Sequence, residues 1–282
     1  CDWSSDVCSS DLPTGLPTAF DWKDGTFGCA AGSTCDVPYF SSPGGRIDGA
    51  PLAIDISESG AGGGDRYPWE PAIELIGVVL SGRVDVTPIE DGAAPPLKDL
   101  GVWSGFRAPG GGVTIRAHGD APARVMHVYV LRSGKGAVAA KMSDPELQHQ
   151  PEIETNFKRT DPVTAFHLAE TPALVWGDGA FRVHIGWDDP EAPAVVDAVV
   201  FGANAKVAEH VHPKEWECLL ALSGEGTITI DGAPRDVVPG TNTCIPPNTK
   251  HAWTPRGETP LVGVQVYTPP GPEQRFKKLA GG

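Results

Sequence analysis

Glu209–Gly224 reads EHVHPKEWECLLALSG and sets His210 and His212 two residues apart. In a strand that spacing sends both imidazoles to one face. Pro213 and Lys214 turn the chain, and Glu217 then opens an apolar run that can return a carboxylate to the same face. Further on, Gly240–Trp253 reads GTNTCIPPNTKHAW and places His251 after a proline-rich turn. Three imidazoles and one carboxylate form a mixed nitrogen and oxygen donor set. It suits one divalent ion (Fe, Mn, Ni, Cu or Zn) with coordination positions left open for a ligand. Glu215 is the rival carboxylate and lies too early in the run. The bland alternative is that these are satisfied core histidines without a metal.

The elements that must position such a set read as strands. Apolar and polar residues alternate in short bursts: Leu52–Ile56, Ile73–Val86, Gly112–Ala117 and Arg124–Leu131, then Ala173–Trp176, Phe181–Trp187, Val195–Phe201, Lys206–His212, Glu217–Ser223, Gly226–Ile230 and Leu261–Tyr267. Turn clusters such as GAGGGD and EDGAAPP bound them, which is the pattern of a β-sandwich or barrel. Gly110-Gly111-Gly112 reads as a further turn; without a following helix pattern it is not a phosphate loop. With 35 Gly and 28 Pro in 282 residues, 40% of them hydrophobic, the composition fits many short strands around a proper core. The expected fold class is all-β. A formal charge of −14 argues against nucleic acid or an anionic membrane surface as partner. No apolar run approaches the roughly 18 residues that a membrane-spanning helix needs.

Ser143–Pro162 is charged and proline-rich and divides the chain. A weak internal repeat supports two similar units: VVLSGRVDV at Val78–Val86 parallels LALSGEGTITI at Leu220–Ile230, and MHVYVL loosely matches GVQVYT. The expected divisions are 1–12, a first unit over 13–142, a linker over 143–165, a second unit over 166–270 and a basic tail over 271–282. Cys1–Leu12, CDWSSDVCSSDL, resembles the translation of a common sequencing adapter, as in an assembled metagenomic sequence. Setting it aside leaves four of the six cysteines. Cys29 and Cys35 share a Gly/Ser-rich loop that would tolerate a disulfide, and Cys218 and Cys244 fall in strand-like runs with side chains expected to face away from the histidines. A periplasmic or secreted location is slightly favoured over a cytoplasmic one.

The run His210-x-His212-x4-Glu217-x6-Gly224 resembles the first motif of the cupin superfamily, and Gly240-x5-Pro246-x-Asn248-x2-His251 resembles the second. Asn248 stands where the family usually has Gly; Asn is the non-Gly residue best suited to a left-handed turn position. Pro255 stands where the family often has Asn. The resemblance implies two jelly-roll barrels in one chain, a bicupin, with His210, His212, Glu217 and His251 as ligands of one divalent metal in the second. Aligning the two LSG triplets puts Pro68, Glu70 and Leu75 where His210, His212 and Glu217 stand, and the proline-glycine turns put Ala121 opposite His251. The first unit is therefore expected to bind no metal.

Trp253 shares the strand face of His251 and could wall a pocket. Lys206 shares the face of His210 and could hold an anionic substrate, while Gln265 and Tyr267 point inward or outward together. These four are the candidate substrate-binding residues. His118, His127, His149, His167 and His184 have no ligand-spaced partner and are expected to be ordinary.

The leading function is an oxidoreductase with dioxygenase-like use of the metal on a small oxygen-bearing organic substrate. One alternative is a Lewis-acid isomerase or lyase acting on a sugar or hydroxy acid. Another is a secreted or periplasmic protein that binds a carbohydrate or small acid without turnover. A monomer or homodimer is expected.

Overall fold

The computed structural model describes residues 15–18, 20, 34–37, 49–89, 95–133, 161–203 and 205–281. Cys1–Leu12, Cys29, His149 and residues 143–160 of the expected linker lie outside the described residues. The first sheet contains β1 (Thr34–Val37), β2 (Leu52–Ser59), β3 (Gly64–Ser81), β4 (Val84–Pro88), β5 (Leu97–Leu100), β6 (Ser104–Ala117), β7 (Ala123–Leu131) and β8 (Thr164–His167). Its order is β1-β2-β7-β3-β6-β4-β5, with β8 on β6. The remaining strands are β9 (Leu174–Trp176), β10 (Phe181–Ile185), β11 (Val195–Phe201), β12 (Val207–His210), β13 (Trp216–Ser223), β14 (Glu225–Ile230), β15 (Ala233–Val237), β16 (Asn242–Ile245), β17 (His251–Arg256) and β18 (Leu261–Thr268). They form a six-stranded sheet, β16-β13-β18-β11-β10-β9, and a four-stranded one, β12-β17-β14-β15. The fold is all-β, two cupin-type barrels in one chain.

Alternation along the strands separates three cores. Leu75, Val79, Phe106, Val113 and Val125 fill the first barrel. Val183, Val199, Leu219, Ile228 and Trp253 fill the second. The opposite faces of the same strands meet between the barrels: Ile54, Ile76, Val78 and Val128 of the first unit share one cluster with Val196, Leu220, Val264 and Val266 of the second. Both faces of these strands are therefore buried, which explains the near-continuous apolar runs at 75–80 and 261–267. Each such Val, Leu or Ile is worth about 1.5–3 kcal/mol relative to exposure.

Two differences from the sequence expectation concern boundaries. β8 lies across the expected start of the second unit yet pairs with β6, so its residues Thr164–His167 complete the first sheet. The expected basic tail is a helix, α1 (Pro272–Ala280), with Pro272 in its first turn. Proline is favoured there because its missing N–H would be unpaired in any case.

Gly110-Gly111-Gly112 is not a turn between strands. It lies inside β6, with φ of 80°, 65° and 63°. The β3–β6 register slips between Trp69 and Glu74 opposite it, so the triplet makes a bulge of a kind that residues with a Cβ tolerate poorly.

Candidate metal centre

β12, β13 and β17 carry the four residues to one place. His210 on β12 and His251 on β17 are direct strand partners, His212 follows the end of β12, and Glu217 sits near the start of β13. The turn after His212 and the turn before His251 are clamped together by Asn248. Its φ is 62°, its backbone N–H donates to His212 O at 2.8 Å, and its Nδ2 donates to Pro213 O at 3.2 Å. The left-handed position expected of Asn248 thus orients both turns at once.

One ligand atom from each of His210, His212, Glu217 and His251 lies within 4.8 Å of the others. Among the described residues this is the one such group. Nδ1 of His210 donates to Ala208 O and Nδ1 of His251 to Thr249 O, both at 2.9 Å. Each bond leaves Nε2 with its lone pair, the state a metal-ligating imidazole needs. His212 Nε2 lies 2.7 Å from Glu217 Oε2, yet it is buried without a well-formed hydrogen bond. Two ligand atoms aimed at a common point rather than at each other would look like this. His251 Nε2 lies 3.2 Å from the same oxygen. The other oxygen, Glu217 Oε1, accepts a 2.6 Å hydrogen bond from Gln265 Nε2. The donor set fits a divalent ion with Glu217 bound through one oxygen.

Electrostatics agree with that use. Burial alone would push the Glu217 carboxyl up, but the adjoining His212 and His251 imidazoles outweigh it and bring its pKa down to about 2. Burial, assisted by the neighbouring histidines, lowers the pKa of His210. Burial would also lower His251, but Glu217 overcomes this and raises it.

The four residues line a cavity of about 290 Å³ that also takes in Lys206, Trp253, Gln265 and Tyr267. All four candidate substrate-binding residues therefore line the same cavity as the cluster. Trp253, Gln265 and Tyr267 are buried, and their place in the cavity lining resolves their direction as inward. Lys206 is exposed. The rest of the wall was not anticipated from the sequence: Trp176, Phe181, Phe201 and, from α1, Arg275 and Phe276. Trp176 is stacked between Phe181 (5.1 Å) and Phe276 (5.4 Å).

Cys218 and Cys244 do face away from the histidines, into the core between the barrels, where they form a disulfide joining β13 to β16. The other described histidines have local partners. His118 bonds Asp85, His127 bonds Asp55, His167 bonds Ser104 and His184 bonds Thr171 O.

Strand register gives the counterpart of the site in the first barrel. Gly82 and Gly224 both have positive φ, 67° and 75°, and both pack against a proline carbonyl, of Pro122 and Pro260. Counting from them, Leu75 opposite Tyr129 matches Glu217 opposite Tyr267. Pro88 opposite Val113 matches Ile230 opposite His251, and Tyr67 opposite Val113 matches His210 opposite His251. Leu75 holds the Glu217 position, as the LSG alignment has it. Tyr67 rather than Pro68 holds that of His210, and Val113 rather than Ala121 that of His251. The irregularity of β3 between Trp69 and Glu74 shifts the first by one residue, and taking the glycine bulge inside β6 as an inter-strand turn misplaces the second.

Comparison with known proteins agrees with this geometry. The family model described as "Cupin domain" matches residues 198–267, a range that contains all four clustered residues. The match covers 70 of the 282 residues and lies within the second barrel. Over most of its length the chain is also similar in fold to solved structures. Oxalate decarboxylase of Lactobacillus farciminis, solved as a formate complex, is 14% identical with a TM-score of 0.60, over 84% of this chain and 81% of that one. Oxalate decarboxylase of Bacillus subtilis, described with Mn(II) centres, is 16% identical with a TM-score of 0.58, over 86% and 78%. A glyoxylate-induced protein of Pseudomonas aeruginosa is 13% identical with a TM-score of 0.58, over 84% and 80%. At these identities the likeness is one of fold. No curated protein sequence matches the chain. No helix among the described residues is long and apolar enough to cross a membrane.

Proposed function

We propose that this chain is a metal-dependent bicupin enzyme with one divalent ion in its C-terminal barrel, and that it is an oxidoreductase of dioxygenase-like type. The ion would be held by His210, His212, Glu217 and His251. The observation that carries the reading is the convergence of these four groups on one point at the edge of an aromatic-walled cavity. Such an ion supplies Lewis acidity and, if redox-active, electron transfer; four protein ligands leave about two octahedral positions open.

The chain's own residues do the rest. Hydrogen bonds from Nδ1 to Ala208 O and Thr249 O hold two imidazoles with Nε2 inward. Gln265 holds Glu217 Oε1, so that the carboxylate presents its other oxygen. Trp253 and Tyr267 cover the site with apolar surface and limit the entry of water. The first barrel, with Tyr67, Leu75 and Val113 at the corresponding positions, supports the second through the shared core.

Metal-dependent O₂ uptake with catechol-like or enol-like compounds, measured on protein reconstituted in turn with Fe(II), Mn(II), Ni(II) and Cu(II), tests this. Uptake that needs both metal and compound is the expected result. Full turnover under anaerobic conditions would instead mean a Lewis-acid isomerase or lyase. Saturable binding without any turnover would mean a binding protein.

A further inference from the structure

The chemistry of the cavity wall narrows the ligand further; this step rests on the metal-site reading above. The wall is apolar and aromatic over most of its extent, with the Phe181–Trp176–Phe276 stack on one part and Trp253 and Tyr267 on another. Flat rings with polarisable faces favour a flat, unsaturated partner. At about 290 Å³ the cavity is at the lower end of small-molecule sites, enough for one ring with a short substituent.

The charges at the wall are few. Besides Glu217, they are Glu209, Lys206 and Arg275. Glu209 faces Lys250 at 3.4 Å. Lys206 and Arg275 come from different elements, the approach to β12 and helix α1, and neither has an acidic partner among the described residues. α1 itself is tied down beside Arg275 by Lys277, which is 2.6 Å from Asp188, and by Gln274, which bonds the same carboxylate. In a chain of formal charge −14, two cations without acidic partners on one cavity make a local attraction for an anion. A guanidinium suits a carboxylate in particular, because its fork can donate two parallel hydrogen bonds.

We propose that the substrate is an aryl acid: two adjacent ring oxygens directed at the histidine–glutamate cluster, the ring against the aromatic wall, and a carboxylate remote from those oxygens taken by Arg275 with Lys206. A small dicarboxylate such as oxalate would leave the aromatic wall uncovered. Arg275 is then a specificity-determining residue carried on the C-terminal helix.

The test uses full-length protein loaded with redox-inert Zn(II), so that binding is read without turnover, by tryptophan fluorescence and calorimetry. The probes are 3,4-dihydroxyphenylacetate and catechol, which differ by the carboxylate arm. The expected result is binding of 3,4-dihydroxyphenylacetate at least ~10-fold tighter than catechol. In Arg275→Gln/Lys206→Gln the preference disappears. Equal affinities in the unsubstituted protein, or a preference that survives the double substitution, would overturn the proposal. His251→Ala separates it from the reading beneath: if catechol binds that variant as well as before, the metal-site reading fails whatever Arg275 does. Both charge substitutions are at exposed positions, so loss of folding does not confuse the outcome.

Discussion

Gln265 joins the ligand cluster to the barrel wall. Its Nε2 is 2.6 Å from Glu217 Oε1, and both side chains are buried. Substituting Gln265→Leu removes the donor and leaves a buried carboxylate oxygen unpaired. We expect metal affinity to fall by about 10–100-fold while the fold is kept, measured by competition with a chromogenic chelator. Asp197, the strand partner of Gln265, is a second buried polar residue that the chemistry does not use. Burial, and after it the charge of Glu273, push its carboxyl well above 3.8. An acid whose pKa is raised by folding weakens the folded state as pH rises through the interval between its unfolded and folded values. Asp197→Asn has no proton to lose. The variant should therefore melt higher than the parent at pH 7 and close to it at pH 3, in paired thermal scans. The clustered residues were legible in the sequence because each motif is local, with His210, His212 and Glu217 inside eight consecutive residues. Gln265 was named as a candidate but its direction was open, since alternation alone does not say which face of a strand is inward when both are buried.

At the scale of elements, β12, β13 and β17 were legible and α1 was not. PPGPEQRFKKLAGG presents prolines and glycines at both ends and only two large apolar residues, Phe276 and Leu279, between them. That is too short a pattern to distinguish an amphipathic helix from a solvated tail. What fixes the helix is tertiary: Phe276 stacks on Trp176, which lies far away in sequence. Phe276→Ala should loosen α1 and weaken the binding of aromatic ligands several-fold with metal content unchanged, as read by ligand titration beside elemental analysis. The turn before His251 makes an opposite test. Asn248 occupies φ 62° and bonds Pro213 O, so Asn248→Val introduces a β-branched residue at a left-handed position and removes a clamp. A loss of about 1–3 kcal/mol in denaturant unfolding is expected.

At the scale of the whole molecule, the core between the barrels carries more than either repeat unit shows alone. Alternation indicated two-faced strands, but nothing in a single strand says that its second face meets another barrel. The register of the first barrel was legible at Leu75, close to the shared LSG, and was lost at Val113, beyond the in-strand glycines of β6. The disulfide, too, was placed by tertiary pairing: Cys218 and Cys244 are strand partners across β13 and β16. Peptide mapping without reductant should recover the two cysteines linked. Closing a 26-residue separation should contribute about 3 kcal/mol, lost on reduction. With its largest apolar faces covered within one chain, the protein is proposed to be a monomer or dimer, and a hexamer in light scattering would overturn that.

The most direct test of the central claim is elemental analysis of protein reconstituted with a divalent metal and desalted, set beside His251→Ala. One metal ion per chain, held by the parent and lost from the variant, is the predicted result. It would place the ion on His210, His212, Glu217 and His251 in the second barrel. No bound metal in the parent, or equal metal in both proteins, would contradict the account and leave the cluster as a buried histidine–glutamate network.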